Sequence, residues 1–184
     1  HAAMKSGMLA AEAVMAALGR SEGTELDDYP ARLSKNRRKS LRRQQRRLDD
    51  AGVAEYGIGR CPRVEEVGPL LDEAFRVEAS GWKGRGGTAI ASDPATARFY
   101  NEISRWAAAR GLLRLSFLRL DGEALAFDLS IADAGAYYSL KAGYAASAGA
   151  YGPGVLLLHE LVLWAHAGDV EVLEELQEIS ADAL

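Results

Sequence analysis

The sequence contains a single cysteine, three histidines and no uninterrupted apolar run of about 18 residues. Because the one thiol, that of Cys61, cannot form a disulfide within the chain, the composition suits a reducing compartment. The lack of a long apolar run gives no pattern for a transmembrane helix. We therefore expect a cytoplasmic protein that is held together by its hydrophobic core.

The few sulfur and imidazole side chains also limit the chemistry. Cys61 precedes Pro62 and has no adjacent helix start or basic cluster that would activate a thiolate. His159 and His166 are seven residues apart, about 10 Å along a helix, whereas the zinc motif H-E-x-x-H places its histidines one turn apart. We therefore expect neither a nucleophilic cysteine nor a bound metal.

Charge is abundant but unevenly distributed. Apolar residues make up 48% and charged residues 26% of the 184 residues, as in a globular domain, and the net charge is −4. Eight of the 22 basic residues lie within residues 35–47, and the other 14 are outnumbered by 26 acidic residues. The chain is therefore strongly dipolar. The basic run consists of Lys35, Arg37, Arg38, Lys39, Arg42, Arg43, Arg46 and Arg47.

The pattern of apolar and turn residues predicts an α/β (α+β) domain that includes an antiparallel meander. Ser34 and Asp93 are candidate N-caps, and Pro94 follows Asp93 at the first helical position. The helix that starts at Val155 is apolar nearly all round, so we expect it to be buried against the sheet. The predicted helices cover residues 2–18, 35–50, 64–80, 94–110 and 155–167, and the predicted strands cover 112–120, 123–133 and 136–144, with a short strand possible within 169–173.

The clearest chemical signature lies between the strand 136–144 and the helix from Val155. The connecting loop ends in Tyr151-Gly152-Pro153-Gly154. Glycines just before a helix let several backbone N–H groups converge, and the helix N-terminus adds partial positive charge, so such a loop can bind a phosphate or diphosphate. The same pattern also occurs as a plain turn into a core helix without any ligand.

Four blocks of the sequence, in order, resemble the acyltransferase domain of the CelD/BcsL family, GNAT-type proteins linked to bacterial cellulose and exopolysaccharide biosynthesis. The resemblance implies a GNAT-like central mixed, mainly antiparallel sheet flanked by helices. It also implies direct transfer from acetyl-CoA or another acyl-CoA to an amine or hydroxyl acceptor, without a metal. The blocks are LSKNRRKSLRRQQRRLDDAG (33–52), EASGWKGRGGTAIASDPATARFY (78–100), LRLSFLRLDGEALAFDLSI (113–131) and YYSLKAGYAASAGAYGPGVLLLHELVLWA (137–165).

The resemblance assigns binding roles to the last block. The diphosphate of acyl-CoA would bind the backbone amides around Tyr151–Val155, and the pantetheine arm would follow the strand 136–144, where a backbone N–H polarises the thioester carbonyl. Lys141 and Tyr144 would flank the phosphates, although placement on the surface is an equal alternative for Lys141. The cofactor-binding candidates are Lys141, Gly143, Tyr144, Tyr151, Gly152, Pro153, Gly154 and Val155.

The general base is less well defined by the sequence. Glu160 lies in the helix after the loop, where a capping or partly buried role is the alternative. Asp128 lies in the middle of a strand, and its alternation with apolar neighbours predicts that it faces solvent. The resemblance also singles out Trp82 and Lys83 in the glycine-rich loop 81–88, which suits a clamp for the acceptor or the CoA phosphates, with a simple loop anchor as the alternative for Trp82.

Both ends depart from that family. Residues 1–33 resemble a C-terminal fragment of the FAD domain of electron-transfer flavoprotein–ubiquinone oxidoreductases, chiefly in AMKSGMLAAEA (3–13). Because no G-x-G-x-x-G motif follows a predicted strand, we do not expect FAD binding. Residues 168–184 form an atypical acidic tail. We therefore expect a transferase domain at 34–167 that is incomplete or fused, and an inactive remnant is one interpretation.

Two other functions fit parts of the sequence. One is a transferase of similar fold that uses aminoacyl-tRNA, in which the basic run 35–47 would hold the tRNA. The other is a non-catalytic module that binds anionic polymers or lipids through the same residues. The lack of aromatic residues among the arginines disfavours nucleic acid, because base stacking needs them. A solvated basic helix that covers apolar surface is the simplest alternative.

Overall fold

The computed structural model describes residues 24–25, 34–80, 90, 93–167 and 172–175. The predicted helix at 2–18 and the glycine-rich loop 81–88 lie outside these residues. The other predicted helices and the three meander strands are confirmed to within two residues at each end, whereas the short strand predicted within 169–173 lies at Val172–Glu175. The helices are α1 (Lys35–Asp49), α2 (Val64–Ala79), α3 (Pro94–Ala108) and α4 (Pro153–Ala167), and the strands are β1 (Thr24–Glu25), β2 (Ala54–Arg60), β3 (Leu113–Leu120), β4 (Glu123–Asp133), β5 (Ala136–Tyr144) and β6 (Val172–Glu175).

The six strands form one sheet in the order β1-β6-β5-β4-β3-β2. Strands β2 to β5 are antiparallel neighbours, whereas β5 and β6 run parallel. A parallel pair needs a crossover connection, and α4 supplies it between β5 and β6. β1 pairs with β6 through Thr24 and Glu25, so the sheet joins segments near both ends of the chain. The expected mixed, mainly antiparallel sheet is therefore confirmed.

Helices cover both faces of the sheet. Helices α2 and α3 pack on one face, which carries Phe127 of β4. The next residue, Asp128, points to the other face, because side chains alternate along a strand. There it bonds with Tyr137, whose ring packs edge-on against Trp164 of α4 at 5.9 Å between ring centres. α1 packs beside α4 on this second face.

The sequence pattern missed β2 because glycines interrupt it. Gly57 and Gly59 lack the side chains that identify a strand, and the register with β3 shifts between Gly57 and Arg60. Gly59 has φ +62°, and a Cβ there would lie 2.3 Å from the ring of Trp164. The bare backbone at Gly59 therefore provides the space into which Trp164 packs.

We expect Gly59→Ala to destabilise the fold more than Gly111→Ala. Both glycines have positive φ, +62° and +70°, so both substitutions carry the cost of left-handed backbone. Only Gly59 faces a neighbour, because nothing lies within 4 Å of a Cβ built at Gly111. The overpacking at Trp164 should add about 1–3 kcal/mol to the loss in unfolding free energy, measured by urea denaturation. Equal losses would contradict this packing.

Candidate active site

A β-bulge in β5 marks the end of its described pairing with β6. The register between β4 and β5 shifts by one residue, which leaves Leu140 as the extra residue on β5. The pairing of β5 with β6 reaches Ser139, immediately before the bulge. β5 then continues through Tyr144, past the last described residue of β6. Residues Leu140–Tyr144, here named the donor edge, lie at the carboxyl ends of two parallel strands, where α/β sheets bind ligands.

The loop after the donor edge is more ordered than the sequence suggested. It contains a 3-10 helix, Ala146–Tyr151, and α4 starts at Pro153, two residues earlier than predicted. Gly152 between them has φ +64°, and a Cβ there would lie 2.3 Å from Nε2 of Gln44 in α1. A glycine is therefore required, and α1 packs directly on this loop.

The first turn of α4 offers fewer free amides than expected. The carbonyl oxygen of Gly152 accepts bonds from the N–H groups of Val155 and Leu156, each at 3.1 Å. The Val155 amide, one of the predicted phosphate-binding groups, thus takes part in the first turn of α4 because the helix starts earlier than predicted. Pro153 has no N–H. Of the predicted donors in this turn, Gly154 is the one that these constraints leave for an anion.

The start of α4 lies against the donor edge. A Cβ built on Gly154 would come within 3.3 Å of the ring of Tyr144, which is 47% exposed. Gly143 faces the opposite side of the sheet, where a Cβ would lie 2.7 Å from Phe127. Glycine at positions 143 and 154 thus leaves room for the side chains of Phe127 and Tyr144, respectively. Of the other predicted loop residues, Tyr151 is half-buried and Pro153 is buried.

Lys141 lies in a buried ion pair, not on the surface. Its Nζ is 2.6 Å from Oε1 of Glu78 at the end of α2, and the two side chains are 12% and 2% exposed. Oε2 of Glu78 accepts the backbone N–H of Ile90 at 2.9 Å. The alternative of a surface lysine is therefore wrong, because α2 brings a carboxylate over β5 next to the bulge.

Tyr100 of α3 adds a hydroxyl to this cluster. Its OH group is 3.5 Å from the carbonyl oxygen of Leu140, the bulge residue. Burial raises the pKa of Tyr100, with a smaller opposing effect from Lys141, so the phenol keeps its proton at neutral pH. Glu78, Lys141 and Tyr100 thus converge beside the bulge on the face covered by α2 and α3.

Sequence reasoning missed Glu78 and Tyr100, although a signal for Glu78 was available. Leu71, Ala74 and Phe75 form the buried stripe of α2, and Glu78 extends this stripe at helical spacing. A carboxylate on an apolar stripe is expected to have a charged partner, because an isolated buried charge is costly. The partner, Lys141, is distant in sequence and could not be identified from local pattern.

Asp128 is buried on the opposite face of the sheet, close to the same bulge. Its carboxylate accepts hydrogen bonds from the hydroxyls of Ser130, Ser139 and Tyr137. The expectation that Asp128 faces solvent is wrong, because α4 covers this face and both faces of β4 are buried. Burial raises the pKa of Asp128, and the hydroxyl donors partly oppose that shift.

We expect Asp128→Asn to change how stability depends on pH. The unfolded carboxyl ionises near its ordinary pKa of about 3.9, below the raised pKa of the folded state. The stability contributed by this group is thus present below about pH 4 and is lost as pH rises through the folded-state pKa. The difference in unfolding free energy between Asp128→Asn and the native protein should therefore shift in favour of the variant as the pH rises from 4 to 7.

The control for this experiment is Asp133→Asn, which replaces an exposed carboxyl at the end of the same strand. Urea denaturation at several pH values gives both comparisons. The account of Asp128 is contradicted if the pH dependence of Asp128→Asn parallels that of the native protein and of Asp133→Asn.

Glu160 lies away from the bulge. The charge of Glu160 acts on Tyr56 of β2, and burial together with this charge raises the pKa of Tyr56 to about 12. β2 is separated from β5 by β3 and β4. The structure therefore does not bring Glu160 together with the donor edge. Trp82 and Lys83, the other catalytic candidates, lie outside the described residues.

The described residues include neither a metal centre nor a membrane-spanning helix. Among the side chains that these ranges include, no group of three or more His, Cys, Asp or Glu residues is arranged to hold a metal ion. None of the helices described is long and apolar enough to cross a membrane.

Comparisons with known proteins relate this chain to a protein family and to solved structures. The family model described as acetyltransferase (GNAT) domain matches residues 35–177. No curated protein matches the chain. A similar solved structure is the C-terminal domain of a protein named as a lysylphosphatidylglycerol synthetase from Agrobacterium fabrum, with 15% identity and a TM-score of 0.47. The match covers 73% of this chain and 39% of that one. Since the family model spans the helices, the bulged strand and the loop into α4, the chain belongs to the GNAT acetyltransferase family.

Proposed function

We propose that this protein transfers an acetyl or other acyl group from acyl-CoA to an amine or hydroxyl acceptor. The observation that carries the proposal is the position of the donor edge, Leu140–Tyr144, beside the start of α4. Backbone groups of β5 past its described pairing with β6 can hold the amides of a pantetheine arm. The helix N-terminus at Gly154 provides an amide and a partial positive charge for the diphosphate.

The acceptor, in this proposal, reaches the donor edge beside the cluster of Glu78, Lys141 and Tyr100. Its nitrogen or oxygen attacks the thioester carbon, a new C–N or C–O bond forms and the C–S bond breaks. Glu78 takes the proton that the acceptor loses, Tyr100 donates a proton to the departing thiolate, and the proton on Glu78 then restores Tyr100. Lys141 and the Ile90 amide hold Glu78 in place.

The other catalytic candidates take different roles in this proposal. Asp128 positions β5 through its bonds to Tyr137 and Ser139, which precede the bulge and lie on the second face. Glu160 receives no step, because its neighbour Tyr56 is on the far edge strand. Trp82 and Lys83 remain predicted clamp residues for the acceptor or the CoA phosphates.

The resemblance to the CelD/BcsL family extends the proposal to the acceptor. Proteins of that kind are linked to cellulose and exopolysaccharide biosynthesis, so a sugar hydroxyl or amino group on a polysaccharide or its precursor is a suitable acceptor. An aminoacyl donor is the alternative, since it presents an activated carbonyl to the same edge.

A thermal-shift experiment with acetyl-CoA tests the proposal. At about 100 times the dissociation constant, binding adds about 2.7 kcal/mol to the stability of the native state, which raises the melting temperature by several degrees. Gly154→Asp should abolish the rise, because the aspartate crowds Tyr144 and repels the diphosphate. Gly149→Asp is the matched control, because a Cβ there meets nothing within 4 Å.

The outcomes separate the alternatives. A rise in the native protein and in Gly149→Asp, with none in Gly154→Asp, supports the donor site. No rise with any acyl-CoA, in protein that unfolds cooperatively, removes acyl-CoA as the donor.

A further inference from the structure

The exposed side of α1 carries an unusual density of positive charge. Ser34 caps the helix, and its apolar residues Leu41 and Leu48 are buried against the core. Seven of the eight basic side chains are exposed, and we name these seven the arginine face. They are Lys35, Arg38, Lys39, Arg42, Arg43, Arg46 and Arg47.

The fold does not neutralise this face. Within the part of the chain that the structure describes, the ion pairs involve Arg60, Arg63, Arg119 and Lys141, and none involves a cation of α1. The helix has no acidic residue before Asp49. Seven like charges so close together repel one another. The arrangement is therefore costly unless an external anion offsets it.

The spacing of the charges matches a linear polyanion. Residues 35–47 span about 18 Å of helix axis, so the arginine face carries one cation per roughly 2.5 Å. A nucleic-acid duplex carries one negative charge per about 1.7 Å of its axis. The diphosphate and 3′-phosphate of a single CoA would neutralise only part of this surface.

We infer that the arginine face binds the phosphate backbone of an RNA duplex. Five of its seven cations are arginines, and each guanidinium group can donate two parallel hydrogen bonds to a phosphate group. The lack of aromatic residues among the arginines disfavours single-stranded nucleic acid, because aromatic side chains stack on unpaired bases. Duplex RNA is recognised mainly by shape and by contacts to phosphates and 2′-hydroxyls, which need no aromatic side chains.

A membrane surface fits this face less well. Helices that lie on a bilayer insert an apolar face among the lipids, and in α1 both leucines are already packed inside the protein.

The position of the arginine face also suits a substrate-bearing polymer, because Gln44 of the same helix contacts Gly152 in the loop before α4. This inference goes beyond acyl transfer and does not depend on it.

The test is fluorescence anisotropy with a labelled RNA duplex of about 20 base pairs and arbitrary sequence. With six or more phosphate contacts, we expect the affinity to fall about 10³-fold between 50 and 200 mM salt. Arg42→Glu/Arg46→Glu should weaken binding at least about tenfold at 50 mM salt, since each reversal replaces a phosphate contact by repulsion. The control is Arg98→Glu/Arg105→Glu, which makes the same change in net charge at exposed positions of α3 and should leave affinity within about threefold.

The fold of each variant is checked by its melting temperature. If Arg42→Glu/Arg46→Glu does not fold, Arg42→Gln/Arg46→Gln replaces it, with a smaller loss expected in the same direction. The inference is overturned if RNA binding is equal in the α1 and α3 variants or if saturating CoA displaces the duplex completely. It is also overturned if phosphatidylglycerol vesicles bind the protein at 50 mM salt while the duplex does not.

Discussion

Lys141→Met lowers the unfolding free energy by about 3–5 kcal/mol, the largest effect on stability that we expect from a single change at the site. The loss arises because Glu78, 2% exposed, would keep a buried charge without the ammonium group that now lies 2.6 Å away. The Ile90 amide would still donate its hydrogen bond to Oε2 of Glu78, but it carries no charge that replaces the ammonium group. Urea denaturation near neutral pH measures the loss.

The double variant Glu78→Gln/Lys141→Met distinguishes a buried ion pair from simple loss of packing. Glutamine keeps an acceptor for the Ile90 N–H, and neither side chain of the double variant is charged, so most of the stability should return. Arg60→Met is the control, because Arg60 and Glu66 form a pair at the same 2.6 Å distance with side chains 53% and 30% exposed. Its loss should be much smaller. Additive losses in the double variant would contradict the assignment.

Glu78→Gln and Tyr100→Phe should each reduce acyl transfer by about 10²–10⁴-fold, the range expected when a general base or acid is removed. Tyr100→Phe mainly removes the proton-transfer group, whereas Glu78→Gln also breaks the ion pair with Lys141 and lowers stability. The measurement is release of the CoA thiol in the presence of a reactive amine or hydroxyl acceptor, at a temperature where each variant is folded.

Asp72→Asn is the matched control, since it neutralises an exposed carboxylate on the same helix α2 and should leave the rate unchanged. The kinetic constants separate the two roles of Glu78. Loss of a base lowers kcat in Glu78→Gln, whereas loss of a positioning contact raises KM for the acceptor and leaves kcat unchanged. If Glu78→Gln only raises KM for the acceptor, Glu78 positions the acceptor and is not the base.

The elements that the sequence predicted are those with local signals. Ser34 and Asp93 accept bonds from the first turns of α1 and α3, and these caps fixed the starts of both helices. The meander from Leu113 to Tyr144 was predictable because short turns join strands that are also neighbours in space. β2 was missed because Gly57 and Gly59 remove the alternating pattern.

The site was harder to predict, because it depends on contacts between distant residues. Alternation along β4 suggested a solvent-facing Asp128, but whether a helix covers the second face is a property of the tertiary fold. The Lys141–Glu78 pair joins β5 to α2, and no local pattern connects them. The loop before α4 was predicted, but the start of α4 at Pro153, which engages the Val155 amide in the first turn, was not.

The most direct measurement is an NMR titration of isotope-labelled protein with acetyl-CoA, read at the backbone amides. Binding along β5 and at the start of α4 predicts shifts that saturate together and are concentrated at Gly143, Tyr144 and Gly154, with Gly57 and Gly68 unchanged. An absence of shifts in folded protein, or shifts centred on β2 instead of β5, would contradict the donor site.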